Sequence, residues 1–345
     1  MKILITGAAG FIGFHLSKKL IECGFEIFGI DNLNDYYDVN YKLLRLSELG
    51  IKFGNEQEFE IKSSIYSNFS FSKIDIRDNI SLNEIFKKHK PELVVHLAAQ
   101  AGVRYSLSNP DEYLTNNIVG FYNIINATRL NNIDTFFYAS SSSVYGDSSV
   151  LPFSEIENVD KPVSLYAASK KSNELIAHTF SNLYNLKTVG LRFFTVYGPY
   201  GRPDMAYFDF TKSILNGTEI KVFNNGNLSR DFTYIDDIVK GIILLLDTYN
   251  VKSKYNISNY EIFNIGNSQP IKLLDFIKTI EECLGVNAIL NFVDMQKGDV
   301  HNTYSDSSKL YSITNFKPQT KLIDGVFEFV SWYKNHHNSE GLVNK

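Results

Sequence analysis

A tyrosine and a lysine four residues apart, Tyr166 and Lys170, have the types and spacing that proton-transfer chemistry needs. On a helix, positions four apart share a face, so the Lys170 ammonium can lie beside the Tyr166 phenol. A phenol ordinarily loses its proton near a pH of about 10, and a neighbouring positive charge favours the phenolate. The pattern predicts that Tyr166 is a general base assisted by Lys170. Taken alone, the same spacing is also typical of a packed tyrosine and a solvated lysine.

Four consecutive serines, at 140–143, follow an apolar run that reads as a strand. A hydroxyl at the end of a strand can hydrogen-bond the substrate oxygen whose proton Tyr166 removes. We assign Ser141 and Ser142 to this catalytic role, Ser140 to cofactor binding, and Ser141, Ser142 and Ser143 to substrate binding. One or two of the four are expected to serve turn formation instead.

A glycine-rich turn opens the chain ahead of these residues. Positions 7–13 read GAAGFIG, directly after the apolar run 3–5 and before an amphipathic stretch. A strand, turn and helix in this order let backbone N–H groups approach a pyrophosphate at the positive end of the helix. The expected dinucleotide contacts are Gly7, Gly10, Phe11, Ile12 and Gly13.

An acid, Asp31, ends the next apolar run. A carboxylate at this point accepts hydrogen bonds from a ribose 2′-hydroxyl and would repel a 2′-phosphate, so NAD is expected rather than NADP. The adjacent Asn32 is assigned to the same cofactor. Because oxidised nicotinamide is cationic, bound NAD would further favour the Tyr166 phenolate.

Strand-like apolar runs at 71–76, 93–99, 135–140 and 188–195 alternate with helical patterns. This alternation predicts an α/β fold of the Rossmann type, a doubly wound parallel sheet with helices on both faces. Ligands of such sheets lie beyond the carboxyl ends of the strands. Further cofactor contacts are expected there, at Asp75, Ile76, Leu97, Ala98, Ala99 and Gln100.

The pattern changes after about Thr195, where loops and isolated strands at 219–223 and 261–265 take over. We expect an NAD-binding domain over 1–195 and a smaller, interleaved substrate-binding lobe over 196–335. Some later segments are expected to return to the first domain, and 336–345 to form a frayed tail. The polar stretch 54–72 reads as a surface insertion.

The composition excludes several classes of protein. The 345 residues carry a net charge of -4 without a Lys/Arg block, so no nucleic acid and no membrane surface is expected as a partner. The apolar run 242–246 is too short to span a bilayer, and the N-terminal run is used by the glycine turn rather than by a signal peptide. Cys23 and Cys283 fit neither a disulfide framework nor a metal site, which favours the cytoplasm. His96 and His178 lie in apolar patterns, so they are read as structural and no metal is assigned.

Beyond these motifs, nearly the whole chain resembles the extended short-chain dehydrogenase/reductase family, and within it the nucleotide-sugar epimerases. The segments most similar to the UDP-glucuronate 4-epimerase branch are 31–38 (DNLNDYYD), 100–106 (QAGVRYS), 192–199 (RFFTVYGP), 201–206 (GRPDMA) and 230–237 (RDFTYIDD). The resemblance implies a reaction that interconverts UDP-glucuronate and UDP-galacturonate through a transient 4-keto sugar, with NAD regenerated in each cycle. Such a product would serve polysaccharide biosynthesis.

The resemblance also implies roles for single residues. Tyr166 would remove the proton of the 4-hydroxyl. Thr195 and Arg202, with the serine hydroxyls, would hold the uronate carboxylate so that the 4-keto sugar, a β-keto acid, does not lose carbon dioxide. The remaining substrate contacts implied are Arg104, Arg230 on a phosphate, Asp299 on the uridine ribose, and Val222 or Phe223 against the uracil.

The resemblance further implies a homodimer, in which the helix starting near Asn109 and the helix carrying Tyr166 pair with their copies. The residues read as its apolar outer faces are Tyr113, Ile118, Phe121, Ile125, Leu175, Ile176 and Phe180. Burial of these faces within the same chain stays open at this point.

Three other functions stay open as well. The first is a 4-epimerase of neutral UDP-hexoses, or of their N-acetylated forms. The second is a UDP-glucuronate decarboxylase, which the absence of a carboxylate from 141–145 disfavours, since related dehydratases and decarboxylases carry an acid there. The third is a non-catalytic NAD-binding regulatory protein, which would have no need of Tyr166, Lys170 and the hydroxyls together.

Overall fold

The computed structural model describes residues 1–54, 59–148, 150–250, 258–295 and 300–339. Its strands are β1 (Lys2–Thr6), β2 (Glu26–Asp31), β3 (Ile61–Lys62), β4 (Phe69–Lys73), β5 (Leu93–His96), β6 (Thr135–Ser141), β7 (Lys187–Phe193), β8 (Thr195–Tyr197), β9 (Glu219–Phe223), β10 (Ser229–Tyr234), β11 (Tyr260–Ile265), β12 (Pro270–Lys272) and β13 (Ile289–Val293).

The α-helices are α1 (Phe11–Glu22), α2 (Asn40–Glu48), α3 (Asn79–His89), α4 (Tyr105–Ser108), α5 (Pro110–Glu112), α6 (Phe121–Leu130), α7 (Leu165–Tyr184), α8 (Ala206–Leu215), α9 (Ile235–Asn250), α10 (Leu273–Leu284), α11 (Ser308–Thr314) and α12 (Leu322–Ser339). A π-helical stretch, Tyr113–Gly120, joins α5 to α6, and short 3₁₀ turns cover Ser142–Tyr145 and Asn224–Gly226. Among the described residues, no helix has the length and apolar character needed to cross a membrane.

Within the described part of the chain, eight strands form one sheet in the order β11-β7-β6-β5-β1-β2-β4-β3. Its neighbours are parallel except β3, which is antiparallel to β4. Side chains alternate between its faces: Ile3 and Ile5 join the cluster that includes α1 and α9, whereas Leu4 joins the one that includes α3, α6 and α7. Helices therefore cover both faces, which confirms the predicted doubly wound, Rossmann-type fold. The parallel strands all end at one edge, where the polar motifs gather.

The chain passes from this sheet to a second lobe at Phe194. The predicted strand 188–195 is split there, because β7 ends at Phe193 while Thr195 opens β8, which pairs with β10 in a separate sheet. Phe194 is buried against Tyr145 and Phe153. Aromatic side chains of α8, α10 and α12 form the core of this second lobe. Thr195 therefore lies at the junction of the two lobes.

Strand β11 lies at the edge of the large sheet, paired with β7, although it comes from beyond residue 196. Helix α9 also packs on α1 of the first lobe. The domain limits at 195 and 335 stay predictions. Residues 336–339, expected to fray, continue α12, and residues 340–345 lie outside the described part.

One expectation about a segment is wrong, and the burial of two helix faces, left open by the sequence, is decided for four residues. The stretch 54–72 is not simply an insertion: it contains β3 and most of β4, and Phe69 and Phe71 are buried in the core. Their alternation with serines is the period of a half-buried strand. On the helices expected at a dimer interface, Tyr113, Phe121, Ile125 and Phe180 are buried inside the chain, because they face their own sheet and neighbouring helices. The apolar side chains that point outward there include Leu114, Val119, Tyr122, Leu175 and Leu183.

Arg45 on α2 is fully buried and ties distant parts of the chain together. Its guanidinium donates to the Tyr200 carbonyl oxygen at 2.8 Å, the Gly201 carbonyl at 2.9 Å, the Ala9 carbonyl at 3.0 Å and the Tyr37 hydroxyl at 2.7 Å. Ala9 belongs to the glycine turn, and Tyr200 holds a left-handed φ of 57° in the loop after β8. Nothing in the sequence pattern pointed to this role.

We predict that Arg45→Met lowers the free energy of unfolding by about 3 kcal/mol, because buried carbonyl oxygens lose their donors. Urea unfolding followed by far-UV circular dichroism measures it. Arg129→Met is the matched control: Arg129 is part-buried on α6 and its hydrogen bonds reach Asn126 within its own helix. Its cost should stay below about 1 kcal/mol. Equal losses in the two variants would contradict a special role for Arg45.

His96 at the end of β5 is buried and neutral. The Thr6 hydroxyl accepts from the Ala98 amide at 3.1 Å and shares a hydrogen bond of 2.8 Å with Nδ1 of His96. Burial, with a smaller effect of the Lys170 charge, lowers the pKa of His96 to about 3. The ring is therefore structural, as the sequence indicated.

Acid should therefore destabilise the fold partly through His96. The unfolded chain binds a proton at this residue below about pH 6.5 that the folded chain does not bind until about pH 3, so stability is lost as pH falls through that window. His96→Asn should reduce the slope of unfolding free energy against pH by up to about 1.4 kcal/mol per pH unit between pH 4 and 6. Urea titrations at several pH values measure the slope. An unchanged slope would show that His96 is charged in the folded state.

Candidate active site

The glycine turn between β1 and α1 has no room for a side chain at Gly7 or Gly13. Gly7 holds a φ of 73°, and its amide and that of Ala8 donate to the Ile30 carbonyl at 2.8 and 3.1 Å. A Cβ added at Gly13 would lie 2.1 Å from the Gly7 carbonyl oxygen. Helix α1 begins at Phe11, so its free N–H groups face the cleft at this turn. The turn therefore fits a dinucleotide pyrophosphate.

One cleft of about 420 Å³ lies above the carboxyl ends of the strands. It brings together most of the residues expected to bind the cofactor. Those that line it are Gly7, Gly10, Phe11, Ile12, Gly13, Asp31, Asn32, Ile76, Leu97, Ala98, Ala99, Gln100, Ser140, Tyr166 and Lys170.

Asp75 is the exception among the expected cofactor residues. It accepts two hydrogen bonds from Arg77, at 2.9 and 2.7 Å, and one from the Asn32 side chain at 3.0 Å. Burial raises its pKa, but the hydrogen bonds from Arg77 and Asn32 lower it overall. Among the described residues Asp75 does not line the cleft; it accepts a hydrogen bond from Asn32, which does. A direct contact of Asp75 with the cofactor stays a prediction.

Asp31 has a partner that the sequence pattern did not reveal. Lys42 on α2 lies in the cleft with its ammonium 3.7 Å from the Asp31 carboxylate, and it also donates to Asn34 at 2.6 Å. The Leu33 amide donates to Asp31 at 2.8 Å. A lysine placed 11 positions after Asp31 belongs to neither the glycine turn nor the tyrosine–lysine motif. Its charge offsets that of Asp31 while leaving carboxylate oxygen available to a ribose hydroxyl.

Tyr166 and Lys170 lie on the first turns of α7, which begins after the Ser164 side chain accepts from the Ala167 amide at 3.1 Å. The Lys170 ammonium is nearly fully buried and donates to the Ala139 carbonyl at 3.0 Å, at the end of β6. Burial lowers the pKa of Lys170 to about 8. Both side chains line the cleft, and direct contact between the ammonium and the phenol stays a prediction.

The phenol of Tyr166 is subject to opposing effects. Burial raises its pKa, whereas a hydrogen bond from Ser141 and the positive charge of Arg202 lower it. Both groups therefore stabilise the phenolate, which is the form that accepts a proton. A direct effect of Lys170 on this phenol stays a prediction.

The four serines make different contacts. Ser140 donates to the buried carboxylate of Glu174 at 2.7 Å. Ser141 accepts from the Ser143 amide at 3.1 Å, which closes the 3₁₀ turn after β6. Ser142 and Ser143 line the cleft beside Tyr166. The expected turn chemistry is thus visible at Ser141.

Glu174 and Arg192 form a buried ion pair that the sequence pattern did not identify. The guanidinium donates to both carboxylate oxygens, at 2.8 and 2.9 Å, and lies 4.8 Å from the Tyr145 ring centre. This pair joins α7 to β7, while the Ser140 hydrogen bond joins α7 to β6. Glu174 therefore fixes the strand ends that carry the serines relative to the helix that carries Tyr166.

The sugar end of the cleft is lined by Thr195 and Arg202. Arg202 forms a bidentate pair with Asp204, at 3.0 and 2.5 Å. The Arg202 guanidinium is therefore fixed by Asp204 at the cleft, near Tyr166, rather than solvated in an open loop. Among the described residues there is no cluster of His, Cys, Asp and Glu suited to a metal ion.

The residues expected at the nucleotide end are more scattered. Val222 is fully buried in the second lobe, so its side chain packs there rather than facing a ligand. Phe223 is partly exposed, with the Arg104 guanidinium 5.1 Å from its ring centre. Arg230 donates to the Ser229 and His301 carbonyls, at 2.8 and 3.0 Å. Asp299 lies outside the described residues.

Comparisons with known proteins agree with this site. Residues 3–266 match the NAD dependent epimerase/dehydratase family. The chain is 49% identical to "Protein CapI" of Staphylococcus aureus, covering 98% of this chain and 99% of that protein. It is 40% identical to a "Probable UDP-glucuronate 4-epimerase" of Rhizobium meliloti, covering 98% of each.

Among solved structures, the UDP-glucuronic acid 4-epimerase from Bacillus cereus in complex with UDP-glucuronic acid and NAD is similar. The TM-score is 0.86 at 32% identity, covering 97% of this chain and 100% of that one. The cleft and the motifs that line it are therefore those of a family, and the chain belongs to the NAD dependent epimerase/dehydratase family.

Proposed function

We propose that this protein is an isomerase that converts UDP-glucuronate to UDP-galacturonate by NAD-dependent 4-epimerisation, with Tyr166 as acid and base. One observation carries the proposal: Tyr166, Lys170, the serines and the Arg202 cation line the same cleft as the glycine turn. Relatives bearing the name UDP-glucuronate 4-epimerase match the chain over nearly its full length, which supports this choice of substrate.

Tyr166 takes the proton of the 4-hydroxyl and later returns it. Burial keeps the pKa of Tyr166 above its usual value; a hydrogen bond from Ser141 and the charge of Arg202 lower it in part, and the cationic nicotinamide of bound NAD would lower it further. Lys170 supplies a positive charge at the end of β6. The glycine turn and Asp31 would hold NAD, which would supply reversible hydride transfer at carbon 4 of the sugar.

The carboxylate of the substrate must be kept from rotating relative to the carbonyl while carbon 4 is oxidised. Oxidation at carbon 4 makes a β-keto acid, which loses carbon dioxide when its carboxylate turns out of the plane of the new carbonyl. Thr195, Ser142, Ser143 and Arg202 offer hydroxyl and guanidinium donors at the sugar end of the cleft. A cation at this position favours a uronate over a neutral hexose.

The nucleotide, the assembly and the compartment belong to the same proposal. Arg230 and Phe223, with Asp299 and Arg104, are proposed to hold the UDP group.

Outward apolar side chains such as Leu114, Val119 and Leu175 support a homodimer through α6, α7 and the π-helical stretch. Two free cysteines fit a reducing cytoplasm. A glycosyl transfer into polysaccharide is the class of reaction that would use the product.

Purified protein incubated with UDP-glucuronate, without added reductant, should yield a UDP-sugar of unchanged mass that co-elutes with UDP-galacturonate. Tyr166→Phe should lose about 100-fold or more of this activity, because the proton acceptor is gone. Tyr311→Phe, which alters an exposed tyrosine on α11, is the matched control and should keep full activity. Liquid chromatography with mass detection measures both.

Two results would contradict this assignment. Loss of carbon dioxide, seen as a UDP-pentose, would make the protein a decarboxylase. Turnover of UDP-glucose as fast as that of UDP-glucuronate would make it an epimerase of neutral hexoses.

Activity should also depend on the charge of Lys170. Because burial lowers the pKa of Lys170 to about 8, its ammonium is present below that pH and is lost as the pH rises through it. We expect kcat to fall above about pH 8 in the wild type, and Lys170→Arg to lack this fall, since an arginine stays charged. Initial rates from pH 6 to 10 test it, with circular dichroism confirming that each variant remains folded. The same alkaline fall in both proteins would assign it to another group.

A further inference from the structure

Arg202 faces the cleft, but its charge is shared with a carboxylate behind it. The Nε and Nη2 atoms of Arg202 donate to the two oxygens of Asp204, at 3.0 and 2.5 Å. Both side chains are about three-quarters buried, with exposed fractions of 23% and 25%. Arg202 lines the cleft, whereas Asp204 is not among the described residues that line it. Asp204 therefore occupies one edge of the guanidinium, while Arg202 itself borders the cleft.

Tyr36 completes this group from the first lobe. Its hydroxyl donates to Asp204 Oδ2 at 3.0 Å, and its ring centre lies 5.9 Å from the Arg202 guanidinium carbon. Burial raises the pKa of Asp204, but the charge of Arg202 and the hydrogen bonds from Arg202 and Tyr36 lower it overall. Asp204 is thus ionised at neutral pH and offsets much of the Arg202 charge.

This arrangement matters because the sugar has to move. In 4-epimerisation the oxidised sugar turns so that hydride returns to its other face, and its carboxylate must leave its first position to do so. A guanidinium with both edges free would bind that carboxylate tightly through two charge-assisted hydrogen bonds. Tight binding of a resting pose lowers KM without raising kcat, and it slows any step that must break the contact.

We propose that Asp204 is a positioning residue that limits how strongly Arg202 holds the uronate carboxylate, so that the sugar can turn between the two hydride transfers. The inference rests on the proposed function. Asp204 holds the guanidinium in place through one edge and leaves the other edge for the substrate. Arg202 then restrains the carboxylate without trapping it.

Asp204→Asn tests this, since it keeps the shape of the side chain and one acceptor oxygen but removes the charge. On the NAD-loaded protein, the Kd of UDP-glucuronate should fall about three- to fivefold and kcat should fall by a similar factor. UDP-glucose has no carboxylate, so its Kd should change by less than about twofold. Calorimetry measures both Kd values, and initial rates measure kcat.

Two further variants separate positioning from general effects. Asp204→Glu keeps the charge and should restore the wild-type Kd and kcat. Asp209→Asn is the control for nearby charge: it removes one negative charge from an exposed site on neighbouring α8, where the charges of Asp204, Lys212 and Arg104 act on it. It should change the Kd of UDP-glucuronate by less than about twofold.

The proposal is overturned if Asp204→Asn leaves the Kd of UDP-glucuronate unchanged or raises it, or if it shifts the Kd of UDP-glucose equally. It is also overturned if Asp209→Asn has the same effect as Asp204→Asn. Failure of the proposed function gives a different result, namely no conversion of UDP-glucuronate by the wild-type protein. The binding measurements then still decide whether Asp204 limits the hold of Arg202 on a carboxylate.

Discussion

The buried guanidinium of Arg45 is the interaction on which the arrangement of the site depends. It reaches three carbonyl oxygens and a phenol that belong to separate parts of the chain, the glycine turn, the segment after β2 and the loop after β8. A buried cation is tolerated only when its donors are satisfied, so these segments are kept at fixed distances. The loop held in this way continues directly into Arg202. The glycine turn and the loop that carries Arg202 are therefore positioned by one side chain.

A parallel sheet supplies the rest of the geometry. Because its strands run in the same direction, residues far apart in sequence, such as Thr6, Asp31, His96 and Ser141, end at one edge. Helix α7 is then locked to that edge by Glu174, which holds Arg192 of β7 and Ser140 of β6. The catalytic tyrosine and the serines keep their separation because two charges inside the protein would otherwise be unpaired.

Local patterns predicted the parts of the site that local geometry determines. The glycine turn and the Tyr166 to Lys170 spacing each depend on residues within seven positions, and both lie at the cleft. Arg45, Glu174, Lys42 and Asp204 were missed, because their roles depend on partners elsewhere in the fold. Arg45 and Tyr200, for instance, are 155 positions apart. Val222 and Phe223 were alternatives against the uracil, and strand alternation separates two faces without telling which one meets a ligand; the structure buries Val222 fully.

The edge position of β11 has a consequence for how the protein can be divided. A chain cut after residue 195 would keep the glycine turn and Tyr166, yet it would lose the strand that covers β7 and the helix α9 that covers α1. Phe263 and Ile265 are fully buried in the first lobe although they follow most of the second lobe in sequence. The two lobes are therefore one cooperative folding unit, and neither can be exchanged between relatives as an independent module.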